Sequence, residues 1–306
     1  MTTHERLTLW EKLRLWTGCG LCIGLFWPLG RLILARADPM AALTLAGRAD
    51  LFTSWLSVSA LMAVAGGVGA VTLGGRRTYS GLLTAAVGLA ALNLRFGTVQ
   101  QFLAAVGVDP VARRSVFAGL IGETILWSAA MSVALVTESL VVRWLGLGRT
   151  PPLPEVSQAK SARSAGQTPG WAVGLLATGI AAVVAVVVLS QTLARTDVAW
   201  VARKQVYFAL GLSFFLASLA ASQVLPHVAG FWHLLAPTVV SLPTSSWAWR
   251  EPVTRIQYYE AIPELPRNWL VRALPVEYLS MGVIGSILGV WIGGRLAATR
   301  RAGAAA

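Results

Sequence analysis

Cys19 and Cys22 stand three residues apart in an apolar stretch. On a helix that spacing puts both thiols on one face, one turn apart, where they could cycle between dithiol and disulfide. His227 and His233 flank an apolar run that opens after Pro226. Their spacing turns them about 120° apart on a helix, so one helix cannot offer both to one metal. Each could still ligate a haem iron with a partner from another helix. Glu123 and Glu138 share a further apolar run but lie about 22 Å apart along a helix axis. That is too far for an acid/base pair on one bond, yet ionisable groups inside a span are candidates for an ion or proton pathway. Asn93 and Arg95 end the preceding run and would reach Glu123 if the two helices were antiparallel neighbours.

The stretch Cys19-Gly20-Leu21-Cys22-Ile23 resembles the active-site stretch of bacterial membrane oxidoreductases that pass disulfide electrons to quinone. That family's second cysteine pair has no counterpart here, so two small buried hydrophobes are the plainer reading. Trp247-Ala248-Trp249, followed by Arg250 and Glu251, is similar to the tryptophan-rich loop of haem-handling cytochrome c assembly proteins, without that loop's acidic and glycine positions. No Gly-rich phosphate loop follows a strand, and no His-Glu-x-x-His metal motif is present. Gly211-Leu212-Ser213 offers a serine in a span, but His227 follows too closely in sequence to rebuild the arrangement of an intramembrane serine protease. The expectation is no metal and no cofactor, with haem at His227 and His233 as the alternative.

These residues must be held by helices in lipid. Of 306 residues, 56% are hydrophobic and 12% charged, against about 25% charged in a soluble domain. Such a surplus of apolar side chains cannot be hidden in a water-soluble core. Apolar runs cover residues 15–34, 51–74, 79–94, 115–142, 171–190, 206–225, 227–242 and 276–296. A span needs about 20 residues. The third and seventh runs are short, so the expected fold is an all-α polytopic transmembrane bundle of seven or eight spans.

Residues 2–16 are expected to form an amphipathic interfacial helix, with Thr2 and Glu5 at capping-box spacing and Leu7, Trp10 and Leu13 as its apolar stripe. Ala35-Arg36-Ala37 has the form of a signal-peptide cleavage site, but the run before it is longer than the usual ~7–15 apolar residues. It is therefore expected to remain as a span.

The chain divides into an N-terminal membrane half over 1–149, a flexible Pro/Ser/Ala/Gln/Gly-rich linker over 150–170 and a C-terminal half over 171–306. Gly-Gly-Arg ends both the second and the last runs, a match too common in Gly-rich helices to signal duplication. Residues 243–275, with Trp247, Trp249, Tyr258, Tyr259 and Trp269, are too aromatic for disorder and are expected as an ordered loop against the bundle. Gly282, Gly285, Gly289 and Gly293 fall on one face of the last span, a ridge that lets another helix approach closely. Its partner is expected to be a span of this chain, a second copy or another membrane protein.

The net charge is +12 and the pI about 11.0. With no basic face interleaved with aromatics, nucleic acid is not an expected partner, and the basic residues suit helix ends beside lipid head groups. Eight spans split the 25 Lys and Arg 12 to 13 between the two sides, which leaves the orientation open. The Arg, Ala and Gly bias suggests a GC-rich bacterial genome and a place in the bacterial inner membrane. The functional expectation is a non-enzymatic membrane component, either a subunit of an assembly or a permease-like protein. The alternative is a membrane redox or haem-handling enzyme.

Overall fold

The computed structural model describes residues 8–34, 41–75, 77–107, 109–147, 170–193, 202–251 and 269–304. Helix α1, Leu9–Leu34, starts on a capping box in which Thr8 and Glu11 exchange side chain and backbone. It passes through a π turn at Phe26–Gly30. Pro28 sits in that turn, where it lacks an N–H and its ring crowds the turn before it. Then follow α2 Leu51–Leu73, α3 Ser80–Asn93, the short surface helix α4 Val99–Val106 and the long α5 Pro110–Trp144. The second half has α6 Gly170–Thr192, α7 Arg203–Val224, α8 Phe231–Leu234, α9 Ala236–Arg250 and α10 Pro275–Ala304, the last preceded by a 3-10 turn at Trp269–Arg272. Among the described residues the only β pairing is an isolated bridge between Ala42 and Gly97.

Among the described residues six helices are long and apolar enough to cross a membrane: α1, α2, α5, α6, α7 and the Pro275–Arg300 part of α10. The expected seven or eight is not met on length. Helix α3 has 14 residues, about 21 Å against a hydrocarbon core of about 30 Å. The seventh run is broken into α8 and α9 just before Pro237.

Two other expectations change. Of the helix expected over 2–16, the part from Leu9 onward is helical and continuous with the first span, with the capping box on Thr8 and Glu11; Thr2 and Glu5 lie outside the described residues. The aromatic loop is shorter than 243–275, because α9 continues through Pro243 to Arg250 and carries Trp247 and Trp249. Tyr258 and Tyr259 lie outside the described residues. Trp269 heads the 3-10 turn, which packs against α9, α6 and α4.

Helix α3 can be short because it is enclosed by protein. Twelve of its 14 residues are buried, among α1, α2, α5 and α10. Close approach is bought with glycine: a Cβ on Gly69 would meet Gly81 Cα at 2.7 Å, and one on Gly88 would meet Phe26 Cδ2 at 2.6 Å.

Two helix pairs run parallel in tight contact. Trp55 of α2 donates to Leu126 O of α5 at 2.9 Å, and further along a Cβ on Gly66 would sit 2.6 Å from Ala134 O. Likewise Gly285, Gly289 and Gly293 of α10 lie successively against Gly211, Phe215 and Ser222 of α7. The glycine face of the last span is thus covered by α7 of the same chain, with Gly282 against Pro237 and Phe214. One apolar core surrounds α3 and a second lies between α6 and α7, with α10 contributing to both.

Candidate functional site

Polar groups gather where α3 ends and where α7 and α10 begin. The last carbonyls of a helix have no partner within it, and in α3 they are buried. Backbone N–H groups of the following turn reach Ala90 O, Leu92 O and Asn93 O, and Arg203, at the first position of α7, adds further donors. Its Nη1 donates to Asn93 O at 2.7 Å, and its guanidinium also donates to Phe96 O and Gly97 O. A cation at this end also complements the helix dipole. Glu277, in the first turn of α10, balances that charge, with Oε1 3.3 Å from Arg203 Nε and side-chain exposures of 3% and 10%. Its other oxygen accepts from Leu274 N at 2.8 Å.

Asn93 ties the group together. Its Nδ2 donates to Tyr207 OH at 2.8 Å and to Glu277 Oε1 at 3.3 Å, while Tyr207 donates to Ala90 O at 3.1 Å. Asn93 Oδ1 is buried with no hydrogen-bond partner. The cluster is neutral overall and joins three helices from sequence positions far apart.

The opposite end of α3 has a matching arrangement of opposite sign. Glu138, from α5, accepts from Leu82 N at 3.0 Å and from Ser80 Oγ at 3.3 Å. It caps the positive end of α3 in trans, where Tyr79, with φ 67°, offers no side-chain cap. A carboxylate holds one end of the enclosed helix and a guanidinium the other. Backbone groups buried without a partner cost about 1–3 kcal/mol, which is why charges sit there.

Glu123 does not pair with Asn93 or Arg95. Its Oε1 accepts from Trp127 Nε1 at 2.8 Å and its Oε2 from Ala46 N at 3.3 Å, docking the buried segment around Ala42–Leu45 onto α5. Arg95 stacks over the Trp27 ring, 4.0 Å from its centroid, beside the π turn. The two carboxylates of α5 therefore hold backbone, at different places, and Arg95 is engaged elsewhere.

Cys22 is buried, with Sγ 3.7 Å from Ala65 O, and Cys19 is half-buried; both are free thiols. His227 is exposed in the turn after α7, while His233 is buried in α8 with Nδ1 lacking a hydrogen-bond partner. The two histidines thus occupy different surroundings. Among the described residues no group of three or more His, Cys, Asp or Glu is placed to hold a metal ion.

Outside the spans, Arg48 bonds Asp50 at 3.1 Å and reaches back to Leu34 O and Ile33 O, closing the turn between α1 and α2. This contact and the Ser54 hydroxyl push the Asp50 carboxyl down to about 2. Arg272 donates to Leu193 O at 2.6 Å, tying the 3-10 turn to the end of α6. Burial lowers the guanidinium of Arg272 from its ordinary value.

Sequence reasoning missed Arg203, Tyr207 and Glu277. Arg203 reads as an ordinary charge at a helix end, since nothing local announces that its carbonyl partners lie more than 100 residues away. Glu277 carried a signal: a lone carboxylate just after Pro275, inside the last apolar run. Comparison with protein-family models, with curated proteins and with solved structures gives no match, so the geometry of these residues carries the functional reading.

Proposed function

We propose that this integral membrane protein is a non-enzymatic component of permease-like construction in a bacterial inner membrane. The observation that supports it is the enclosed helix α3. A short helix enclosed by protein and held at its two ends by buried charges of opposite sign resembles the half-length helices around which transporter sites are built. In this reading α3 and the α8–α9 pair both cross between the two faces, giving eight passes despite their shortness. Glu123, Glu138 and Arg95 then serve to fix backbone and a surface turn. The charge that bears on coupling sits at Arg203 and Glu277.

A subunit of a larger assembly is the same class of protein put to another use. Since the glycine face of α10 lies on α7, a partner or second copy would dock on another face. Gentle detergent extraction from native membranes, with mass spectrometry of what co-purifies, separates the two. The permease-like reading expects the chain alone or with copies of itself. A different protein in constant stoichiometry would make it a subunit.

One observation favours the redox or haem-handling alternative: the buried His233, whose Nδ1 has no hydrogen-bond partner. A visible absorption spectrum of the purified protein decides it, because bound haem gives a Soret band that His233→Ala would abolish.

A further inference from the structure

The packing of the first half repeats in the second. Number the crossing elements of the first half α1, α2, α3, α5, and those of the second α6, α7, α8–α9, α10. In each half the first element packs on the second and third, the third packs on the fourth, and the second and fourth form the tight parallel pair. Both pairs set glycine against backbone carbonyl, Gly66 against Ala134 O and Gly289 against Phe215 O.

Between the halves, the third element of each meets the fourth of the other, and the two fourth elements touch. Both crossings are antiparallel and polar. On α3 and α10, Asn93 bonds Glu277 while Trp291 donates to Thr78 O. On α5 and α9, Thr124 bonds Ser241 while Ser128 bonds Thr238. This is the contact pattern of two parallel four-pass units related by a pseudo-twofold axis along the membrane normal.

One relation departs from it. Helix α2 packs along α3, whereas α7 makes no comparable contact with α9. Instead α7 reaches across the seam to the end of α3 through Arg203 and Tyr207.

We propose that the seam between these two units is the moving joint of the protein, held shut on the Asn93 side by Arg203 clamped between Glu277 and the carbonyls of Asn93, Phe96 and Gly97. The proposal rests on the permease-like reading, since repeat-built transporters open by rocking one unit against the other about their interface. Arg203 suits the part. One side chain from the second unit makes charge-assisted bonds to the first, and withdrawing it leaves only the neutral hydrogen bonds of Tyr207 between α7 and α3, without disturbing the glycine-packed contact of α7 with α10. The buried and unpartnered Asn93 Oδ1 lies in the same joint, and such a group in a native core calls for an explanation, which an opening joint supplies.

The test places a thiol in the joint. Ser280 is buried one turn beyond Glu277, so Ser280→Cys, with Cys19→Ala and Cys22→Ala, reports opening to a membrane-impermeant maleimide in oriented vesicles. Adding Arg203→Ala should raise the labelling rate at least about tenfold, from one side of the membrane only. Millimolar guanidinium should lower it again by refilling the clamp. Labelling that is unchanged, that rises equally from both sides, or that guanidinium does not reverse would overturn the latch. The readout is thiol access and not transport, so a latched protein that co-purifies with a fixed partner would sink the permease-like reading alone.

Discussion

Arg203 Nε and Glu277 Oε1 lie 3.3 Å apart with their side chains almost withdrawn from the surface, yet the pair is unequal in what it supports. Glu277 neutralises one cation and accepts from one backbone N–H and from Asn93 Nδ2, while Arg203 also bonds three carbonyls at and just after the end of α3. Breaking a buried pair from one side strands the other charge, at a cost of about 3–5 kcal/mol. Truncating Arg203 strands Glu277 and takes a donor from all three carbonyls, of which Asn93 O keeps the Phe96 N–H. Arg203→Leu should therefore lower the apparent melting temperature in detergent more than Glu277→Leu does. In the double variant the missing charge no longer matters but the carbonyls still do, so it should recover only part of the loss. Full recovery would mean that the ion pair, and not the helix cap, is what Arg203 supplies.

The Glu138 carboxylate separates into a hydrogen-bond acceptor and a charge at the N-terminal end of α3. Glu138→Gln keeps an acceptor for Leu82 N and loses the charge, which at a helix end is worth about 0.3–1 kcal/mol and up to about 2 when partly buried. Glu138→Leu leaves the buried Leu82 N–H unpaired and should cost about 1–3 kcal/mol more. Thermal unfolding of both variants in the same detergent checks the order. Equal losses would remove Glu138 as the cap of α3.

The helices and their apolar character were legible because hydropathy is a local property, and each long run in the sequence reappears as a helix with ends shifted by up to eight residues. The extent of α9 was not. Pro243 and the tryptophans that follow read as loop, but the proline is held inside a helix packed against α5, α6 and α10. The glycine ridge of α10 was visible as a pattern, and its occupant α7 was not, since spacing states that something packs closely without naming it. The candidate site was least legible. Asn93 was singled out for its place at the end of a run, but the partner expected for it, Glu123, turns to Trp127 and Ala46 instead. Which distant charges meet is fixed by the packing of whole helices.

The Asp50 side chain closes the turn between α1 and α2, bonding Arg48 and Ser54. Because these contacts hold the carboxyl down to about 2, below its ordinary value of about 3.9, its contribution is complete above the ordinary value and fades as the pH falls through the lowered one. Asp50→Asn should melt below the wild-type protein at neutral pH, and the gap should close as the pH is brought down through about 2. A gap that persists in strong acid would show that the asparagine disturbs the turn by shape and not by charge.

Glycines in one helix can be told apart by what surrounds them. On α10, a Cβ at Gly289 would come 2.5 Å from Phe215 O and 2.9 Å from Ser218 Cβ, whereas nothing lies within 4 Å of one at Gly294. Both positions are helical, so the change in backbone preference on going to alanine is shared and favours alanine by about 1 kcal/mol. At Gly294 that term acts alone, and Gly294→Ala should leave stability unchanged or slightly raised. At Gly289 the methyl group must push α7 and α10 apart, and such overpacking costs about 1–3 kcal/mol. Because Gly285 meets α7 one turn earlier, Gly285→Ala should behave as Gly289→Ala does. The double variant should lose less than the sum of the two, since the first separation relieves the second. Melting temperatures of the four variants in one detergent would check this, and a destabilised Gly294→Ala beside a tolerated Gly289→Ala would place the tight face of α10 elsewhere.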